Sequence, residues 1–584
     1  MTRPFLLRRW PWLLLLAAAA AWPKCDLKAL PVPVTMVGLR PVVTVGINGT
    51  DVPLLLDSGA HYSALTDAAA AQLQLKTGPL PWGMRSEGVT GRIEFRRTRA
   101  DRLNFRGVEL KDVEFLVGGN EPGGGTLGLL GRNLLNWLDN EYDLQNGMLR
   151  LVKPEGDCKN ASMAYWAGQA PYSEVPMITP SWREVSPPIA AVAQINGRKL
   201  EVLFDTGATS LLSLRAARRL GLVDDVKTLE PAGTVRGAGE GEVESWLVPV
   251  QSFELGQERI ANSRLRVADI RGDHDMLIGI DFFLSHRVYV SWAQQRIYFT
   301  YQGGPVFDLT RRDVASDIVS PEGDAPADAA GLLRRAAAFL SRGAHDRALA
   351  DLDRALELEP ASAAALRQRA RAQLGLKQPA LARRDLDAAL RLEPADDVAR
   401  LDRARLAWAG GEAEQALDDL AQLDRQLPPQ AESRRPMGDL YLAMQRPALA
   451  VGQYTHWLAA RPRDVRRFEI LNSRCWARAL ANIELDAALD DCNLAVDGAP
   501  KDANFVDSRG LVNLRLGRLR DALRDYDTAL RLEPGKPWSL YGRAIVRLRD
   551  GQRDAGLADL AAARAAQPSI DADAARHGLA APAP

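Results

Sequence analysis

Histidine, cysteine and unbalanced charge are all scarce in this 584-residue chain, and each shortage removes a class of function. The six histidines (His61, His274, His286, His345, His456 and His577) are scattered, without a His-x-x-x-His or Cys-x-x-Cys spacing. No metal site is therefore expected, and no cofactor. Lys plus Arg total 74 and Asp plus Glu total 74, a balance that gives no reason to expect nucleic acid or anionic membrane as a main partner. Gly118 to Gly128 is glycine-rich but lacks the Lys-Ser/Thr of a phosphate-binding loop, and reads as a mobile connection. Asp273 and Asp275 read as a solvated loop, not a calcium site.

Long apolar runs are missing as well. The longest candidate, Leu13 to Ala21, falls short of the roughly 20 apolar residues a spanning helix needs. Arg3, Arg8 and Arg9 precede it and Ala19-Ala20-Ala21 closes it, so residues 1–21 read as a signal peptide. The mature chain is then expected in the periplasm or secreted, with no stable membrane span. Cys25, Cys158, Cys475 and Cys492 would survive cleavage, an even number suited to an oxidising compartment.

At 46% hydrophobic and 25% charged the chain is globular, and its texture changes midway. Up to about residue 305 it is rich in Val, Gly and Thr, in short runs separated by turn residues, which predicts β-strands. Within this region the sequence repeats itself at one offset. Ile47-Asn48-Gly49 recurs as Ile195-Asn196-Gly197, 148 residues on. Val52 to Leu56 with Asp57-Ser58-Gly59-Ala60 recurs as Val202-Leu203-Phe204 with Asp205-Thr206-Gly207-Ala208, again at 148. Leu129-Leu130-Gly131-Arg132-Asn133 recurs as Leu277-Ile278-Gly279-Ile280-Asp281, still at 148. Three motifs in one register indicate a duplication.

An apolar strand ending in Asp-Ser/Thr-Gly-Ala, followed by a second ending in two apolar residues and Gly, resembles the retropepsin-like aspartic proteases. The resemblance covers residues 34–155 (lobe 1) and 181–301 (lobe 2), with a linker at 156–180. It implies two small β-barrels meeting at a two-fold axis, each giving one catalytic aspartate, Asp57 and Asp205. It also implies support from the Ser58 and Thr206 hydroxyls, Gly59, Ala60, Gly207 and Ala208, with Gly131 and Gly279 packed beneath. The chemistry fits the residue types: two adjacent carboxyls share a proton, so one serves as base and the other as acid. Gly88 and Gly91, and Gly237 and Gly239, are placed as flap tips, because the family's lobes carry a Gly-containing hairpin that closes over substrate. His61 and Asn133 depart from the pattern; His61 bears on the dyad only if its ring points inward.

Beyond a linker at 302–328 the composition turns to Ala, Leu, Arg and Asp with helical periodicity. Pro360, Pro394, Pro428 and Pro462 are 34 apart, as are Pro500, Pro534 and Pro568; the one longer gap, of 38, places a four-residue insertion near 465–468. Twelve residues before each Pro stands Ala348, Ala382, Ala416, Ala450, Ala488, Ala522 or Gly556. This is similar to tetratricopeptide repeats. It implies seven repeats over 329–570, a tail at 571–584, and a groove that binds a protein partner. The Arg and Asp residues of these helices read as mostly solvated surface.

The fold class expected is therefore multidomain: duplicated all-β acid-protease barrels, then an all-α repeat solenoid. The function expected is an exported aspartic endopeptidase acting on a polypeptide substrate; the alternative is a catalytically inactive peptide-binding scaffold. Placed within their repeat, Cys475 and Cys492 both face the interface between its two helices and are expected to pair. Cys25 and Cys158 flank lobe 1 and are expected to pair as its chain ends meet. The alternative is four buried free thiols.

Overall fold

The computed structural model describes residues 25–80, 86–88, 91–119, 125–178, 186–237, 242–270, 272, 274–307, 326–462, 464 and 466–581. The segment read as a signal peptide, residues 1–21, lies outside these.

The N-terminal region is all-β and doubled. In lobe 1 the strand Arg40–Ile47 alternates, sending Val43, Val45 and Ile47 inward, the two-residue period of a strand with one buried face. It turns through Asn48 and Gly49, both at positive φ (49° and 87°), into Thr50–Leu56. Asn-Gly suits that tight hairpin because Asn tolerates, and Gly prefers, the left-handed region. Asn196 and Gly197 repeat the turn in lobe 2, at φ 49° and 76°. Each lobe's sheet closes on itself: Arg40–Ile47 also pairs with Phe95–Phe105, and Ala190–Ile195 with Glu242–Leu255.

A third, six-stranded sheet joins the lobes. Its seam pairs Asp139–Asp143 with His286–Ser291, setting Glu141 opposite Tyr289, which are 148 residues apart and hence equivalent positions on the pseudo-two-fold axis. The segments read as boundaries contribute here. Asp26–Pro33 pairs with Met148–Glu155 at one edge, and Ser173–Pro176 pairs with Arg296–Tyr301 at the other. Residues 156–180 are thus not a plain linker: Ser173 is fully buried and its hydroxyl accepts the amides of Gln257 and Glu258. Cys158 is bonded to Cys25, closing the ends of lobe 1.

The helical region contains seven antiparallel helix pairs, from Ala329–Ser341 with His345–Leu358 to Pro537–Arg549 with Arg553–Ala566. Each repeat's Pro stands two residues past the second helix. The recurrent alanines from Ala348 to Ala522 are fully buried, since a larger side chain there would push the helices apart. The insertion is shared between two places. The connection at 461–466 has six residues where the one at 359–362 has four, and helix Arg467–Ala481 has 15 residues where Ala363–Gly375 has 13. Cys475 and Cys492 are fully buried and form a disulfide between the two helices of repeat 5. The residues read as a tail begin as a further helix, Ile570–Arg576.

Two expectations are corrected by packing. The arginines and aspartates of the array are not mainly solvated surface. Arg369 holds Asp385 in a two-pronged pair (2.7 and 2.8 Å) and reaches back to Asp353 (2.8 Å). Arg403 does the same with Asp419 and Asp387, and Arg543 with Asp559 and Asp527. Planar guanidinium and carboxylate forks match, so these residues brace the two helices of a repeat and tie repeat 1 to 2, 2 to 3 and 6 to 7. Nor is the segment after lobe 2 a simple joint. Val306 and Phe307 are buried in the core of the β region, together with Ala337 and Ala338 of the first helix. Arg342, 6% exposed, donates from Nη1 to Gln145 Oε1 and to the carbonyls of Leu284 and Gly303, at 2.8–3.1 Å. A cation buried this deeply needs such acceptors, and here both lobes supply them.

Candidate active site

Each Asp loop is seated by its own lobe. The strand Thr50–Leu56 runs parallel to Gly128–Leu130, and the Asp57 amide donates to the Leu130 carbonyl at 3.0 Å. In lobe 2 Arg198–Phe204 runs parallel to Met276–Ile278, and the Asp205 amide donates to Ile278 at 2.8 Å. Gly131 and Gly279 end those supporting strands because the chain passes too closely for anything larger. A Cβ on Gly131 would lie 2.7 Å from the Tyr62 carbonyl carbon, and one on Gly279 2.3 Å from that of Thr209.

Beneath both loops runs one hydrogen-bond pattern. Asn133 Oδ1 accepts from the Ser63 amide (2.7 Å) and hydroxyl (2.8 Å), while the Ser63 Oγ accepts from the Gly131 amide (2.9 Å). Asp281, Ser210 and Gly279 repeat it at 2.9, 2.8 and 2.8 Å. Asn133 therefore does the work of Asp281: only one acceptor oxygen is needed, and an amide supplies it. Ser63 and Ser210 escape the sequence reading because they are 147 apart, not 148; lobe 2 has one residue fewer between the aspartate and the serine.

The two loops then lock across the axis. The Ser58 amide donates to Thr206 Oγ1 and the Thr206 amide to Ser58 Oγ, both at 3.0 Å. Each hydroxyl passes on its own proton, Ser58 to the Phe204 carbonyl (3.0 Å) and Thr206 to that of Leu56 (2.8 Å). Both residues are fully buried. This clasp presses each aspartate against the opposite glycine. A Cβ on Gly59 would fall 2.3 Å from Asp205 Cγ, and one on Gly207 would fall 2.6 Å from Asp57 Cγ. Asp57 and Asp205 thus come into hydrogen-bonding contact, and both residues are half-buried.

The pair is electrostatically unequal. Asp57 Oδ1 accepts two amides, from Gly59 (3.0 Å) and Ala60 (2.8 Å), whereas Asp205 Oδ1 accepts one, from Gly207 (2.8 Å). Amide donors favour the ionised form. Burial raises both carboxyls above their ordinary range; Asp205 is pushed up to about 8, by burial first and by the charge of Asp57 second. Arg132, 6% exposed, pulls both downward, and its counterpart in lobe 2 is Ile280. The geometry thus favours the shared proton on Asp205 and the charge on Asp57.

Ser86–Gly88 and Gly91–Ile93 pair as two antiparallel strands with Gly88 opposite Gly91. In lobe 2 Glu230–Arg236 pairs with Glu242–Leu255, and Gly237 follows the first of these strands; Gly239 lies outside the described residues. The His61 ring meets Tyr62 edge-on at 4.5 Å. Asp275 is not a solvated loop residue: it is 8% exposed and accepts from the Glu201 amide (2.9 Å) and Arg219 (2.6 Å). Among the described residues no cluster of three His, Cys, Asp or Glu could hold a metal ion, and no helix is long and apolar enough to cross a membrane.

Comparison with known proteins gives two kinds of match. Residues 43–134 and 191–282 each match the model of the aspartyl protease family, so the duplication found by register is also a duplication of family domains. A curated relative, Protein FlbA of Caulobacter vibrioides, is 32% identical over 127 residues, 22% of this chain and 21% of its own length; the chain thus spans about a fifth of that protein. Among solved structures, YrrB, a TPR protein with an unusual peptide-binding site, is 17% identical, with 33% of this chain and 97% of that one covered at TM-score 0.30. A tetratricopeptide repeat protein from Parabacteroides merdae is 19% identical, with 43% and 98% covered at TM-score 0.32. Two stretches of the N-terminal region thus match the aspartyl protease family in tandem, and the C-terminal region is a helical repeat array.

Proposed function

We propose that the chain is an exported aspartic endopeptidase whose Asp57/Asp205 dyad hydrolyses peptide bonds, with the array recruiting the polypeptide substrate or a protein partner. One observation carries the reading: two carboxyls that would repel each other are forced together by the Ser58–Thr206 clasp, and each is backed by a glycine with no room for a side chain. A merely structural aspartate needs no such neighbour, and holding two at contact is costly unless they share a proton.

In the reaction, the Asp57 carboxylate takes a proton from a water while Asp205 gives its proton to the scissile carbonyl oxygen. The water oxygen bonds to the carbonyl carbon and a neutral diol forms. The C–N bond then breaks, Asp57 returns a proton to the leaving nitrogen, and Asp205 regains one from a diol hydroxyl. Export is supported by the two disulfides, which persist in oxidising compartments. The test is incubation of the intact protein with casein across pH, with fragments read by mass spectrometry. Cleavage by the wild type, absent in Asp57→Asn and Asp205→Asn, is expected. A wild type that leaves casein whole at every pH would sink the reading in favour of a non-catalytic peptide-binding scaffold.

A further inference from the structure

The array ends in a segment that lies in its own groove. After helix Ile570–Arg576 the chain turns at Gly578 (φ 64°) and crosses the first helices of repeats 5, 6 and 7. Those helices pack on one another. Leu579, 6% exposed, packs in one apolar cluster with Trp476, Leu511, Trp538, Tyr541 and Ile545, lining a small pocket with them. The unfilled space is about 10 Å³, room for at most one water.

The backbone of this segment is gripped through groups that any peptide carries. Arg515 donates to the carbonyls of His577 and Gly578, the latter at 3.3 Å. The Ala581 amide donates to the Tyr541 hydroxyl at 3.2 Å, and His577 Nε2 lies 2.8 Å from Gln445 Oε1. Apart from Leu579, residues 578–581 offer only Gly and Ala, so the side chains in the grip are those of His577 and Leu579 alone. Backbone hydrogen bonds for affinity and one pocket for identity make a general peptide-recognition design. Trp476 and Trp538, edge-to-face at 5.4 Å, remain partly open at the rim.

We propose that the groove across repeats 5 to 7 is a binding site for extended polypeptide carrying one aliphatic side chain flanked by small residues, and that His577–Ala581 is its resident competitor. An incoming chain must displace this segment, so the site is self-masked. The proposal rests on the reading of the array as a recruiting module, but its test needs no cleavage, so failure of the dyad and failure of the groove are separately visible.

A fluorescein-labelled peptide of residues 575–584 is titrated into the intact protein and into a variant ending at Arg576, with anisotropy as readout. A tethered segment acts at an effective concentration of the order of millimolar, so the peptide should bind the shortened chain at least about tenfold more tightly. The same peptide with Leu579→Asp should not bind, and removal of the segment should shift tryptophan emission to the red until peptide is added. A full-length Leu579→Asp variant, which keeps the final helix, should behave like the shortened chain even if shortening costs helical content. The proposal is overturned if the peptide binds the intact and unmasked proteins equally, binds neither unmasked variant while they remain helical, or tolerates Leu579→Asp.

Discussion

Replacing Thr206 by Val isolates the clasp that brings the lobes together. The shape is kept, but two bonds go: the hydroxyl no longer donates to the Leu56 carbonyl (2.8 Å) or accepts from the Ser58 amide (3.0 Å). Both abandoned groups stay out of water, because Ser58, Thr206 and Leu56 are fully buried. An unsatisfied buried polar group costs about 1–3 kcal/mol, so the substitution should destabilise the β region by about 2–6 kcal/mol. In calorimetry its transition should fall by at least about 4 °C, and proteolysis should fall with it as the carboxyls separate. Ser58→Ala removes the reciprocal pair of bonds and should cost a similar amount. The double variant should be less damaging than the sum, since neighbours in one network couple. Thr206→Ser retains the hydroxyl and is the control. A valine variant that melts within about 1 °C of wild type, or a serine variant as damaged as valine, would refute the account.

Asp57→Asn and Asp205→Asn should each lower kcat/KM by at least about a hundredfold with the fold intact by circular dichroism. Because burial raises both carboxyls, the folded state binds more protons than the unfolded one above the ordinary carboxylate range, so stability must fall as pH rises through that window. Asp205→Asn removes part of this penalty and should melt higher than wild type at alkaline pH, whereas activity in the wild type should fade there as the shared proton is lost. Opening the Cys475–Cys492 bridge, which spans 17 residues, should cost the array about 3 kcal/mol, read as a lower Tm after reduction; four alkylatable thiols in unreduced protein would contradict both bridges. A chain ending at Gly303 discards Val306, Phe307 and Arg342 and should be unstable or insoluble, while one ending after Leu358 keeps the first helix pair and should fold.

Much of this architecture was legible because it repeats. Offsets of 148 and 34 are visible without any knowledge of packing, and they located the Asp loops, the glycines beneath them and the small residues between paired helices. What stayed hidden depends on contacts that periodicity does not encode. Ser63 and Ser210 fall out of register by one residue. Ser173–Pro176 looks like linker because its worth lies in an edge pairing with a strand over a hundred residues away. The joint at 302–307 has a loop's composition, yet Val306 and Phe307 complete a core and Arg342 is anchored from the far side. The arginine–aspartate clamps read as surface charge because their regularity, 16 residues apart along the chain, matters only once the helices fold back on one another.

The seam between Asp139–Asp143 and His286–Ser291 lies within a single polypeptide. A cleft assembled from two identical chains comes apart on dilution, and its halves are alike by symmetry. This one holds together on dilution, because its halves are tethered. Its halves are therefore free to differ, and they do: Arg132 stands in one lobe where the other has Ile280, Asn133 where it has Asp281, and two amides serve one aspartate where a single amide serves the other. The dyad's surroundings consequently have a left and a right, so a polypeptide bound there would meet a different environment when its direction is reversed.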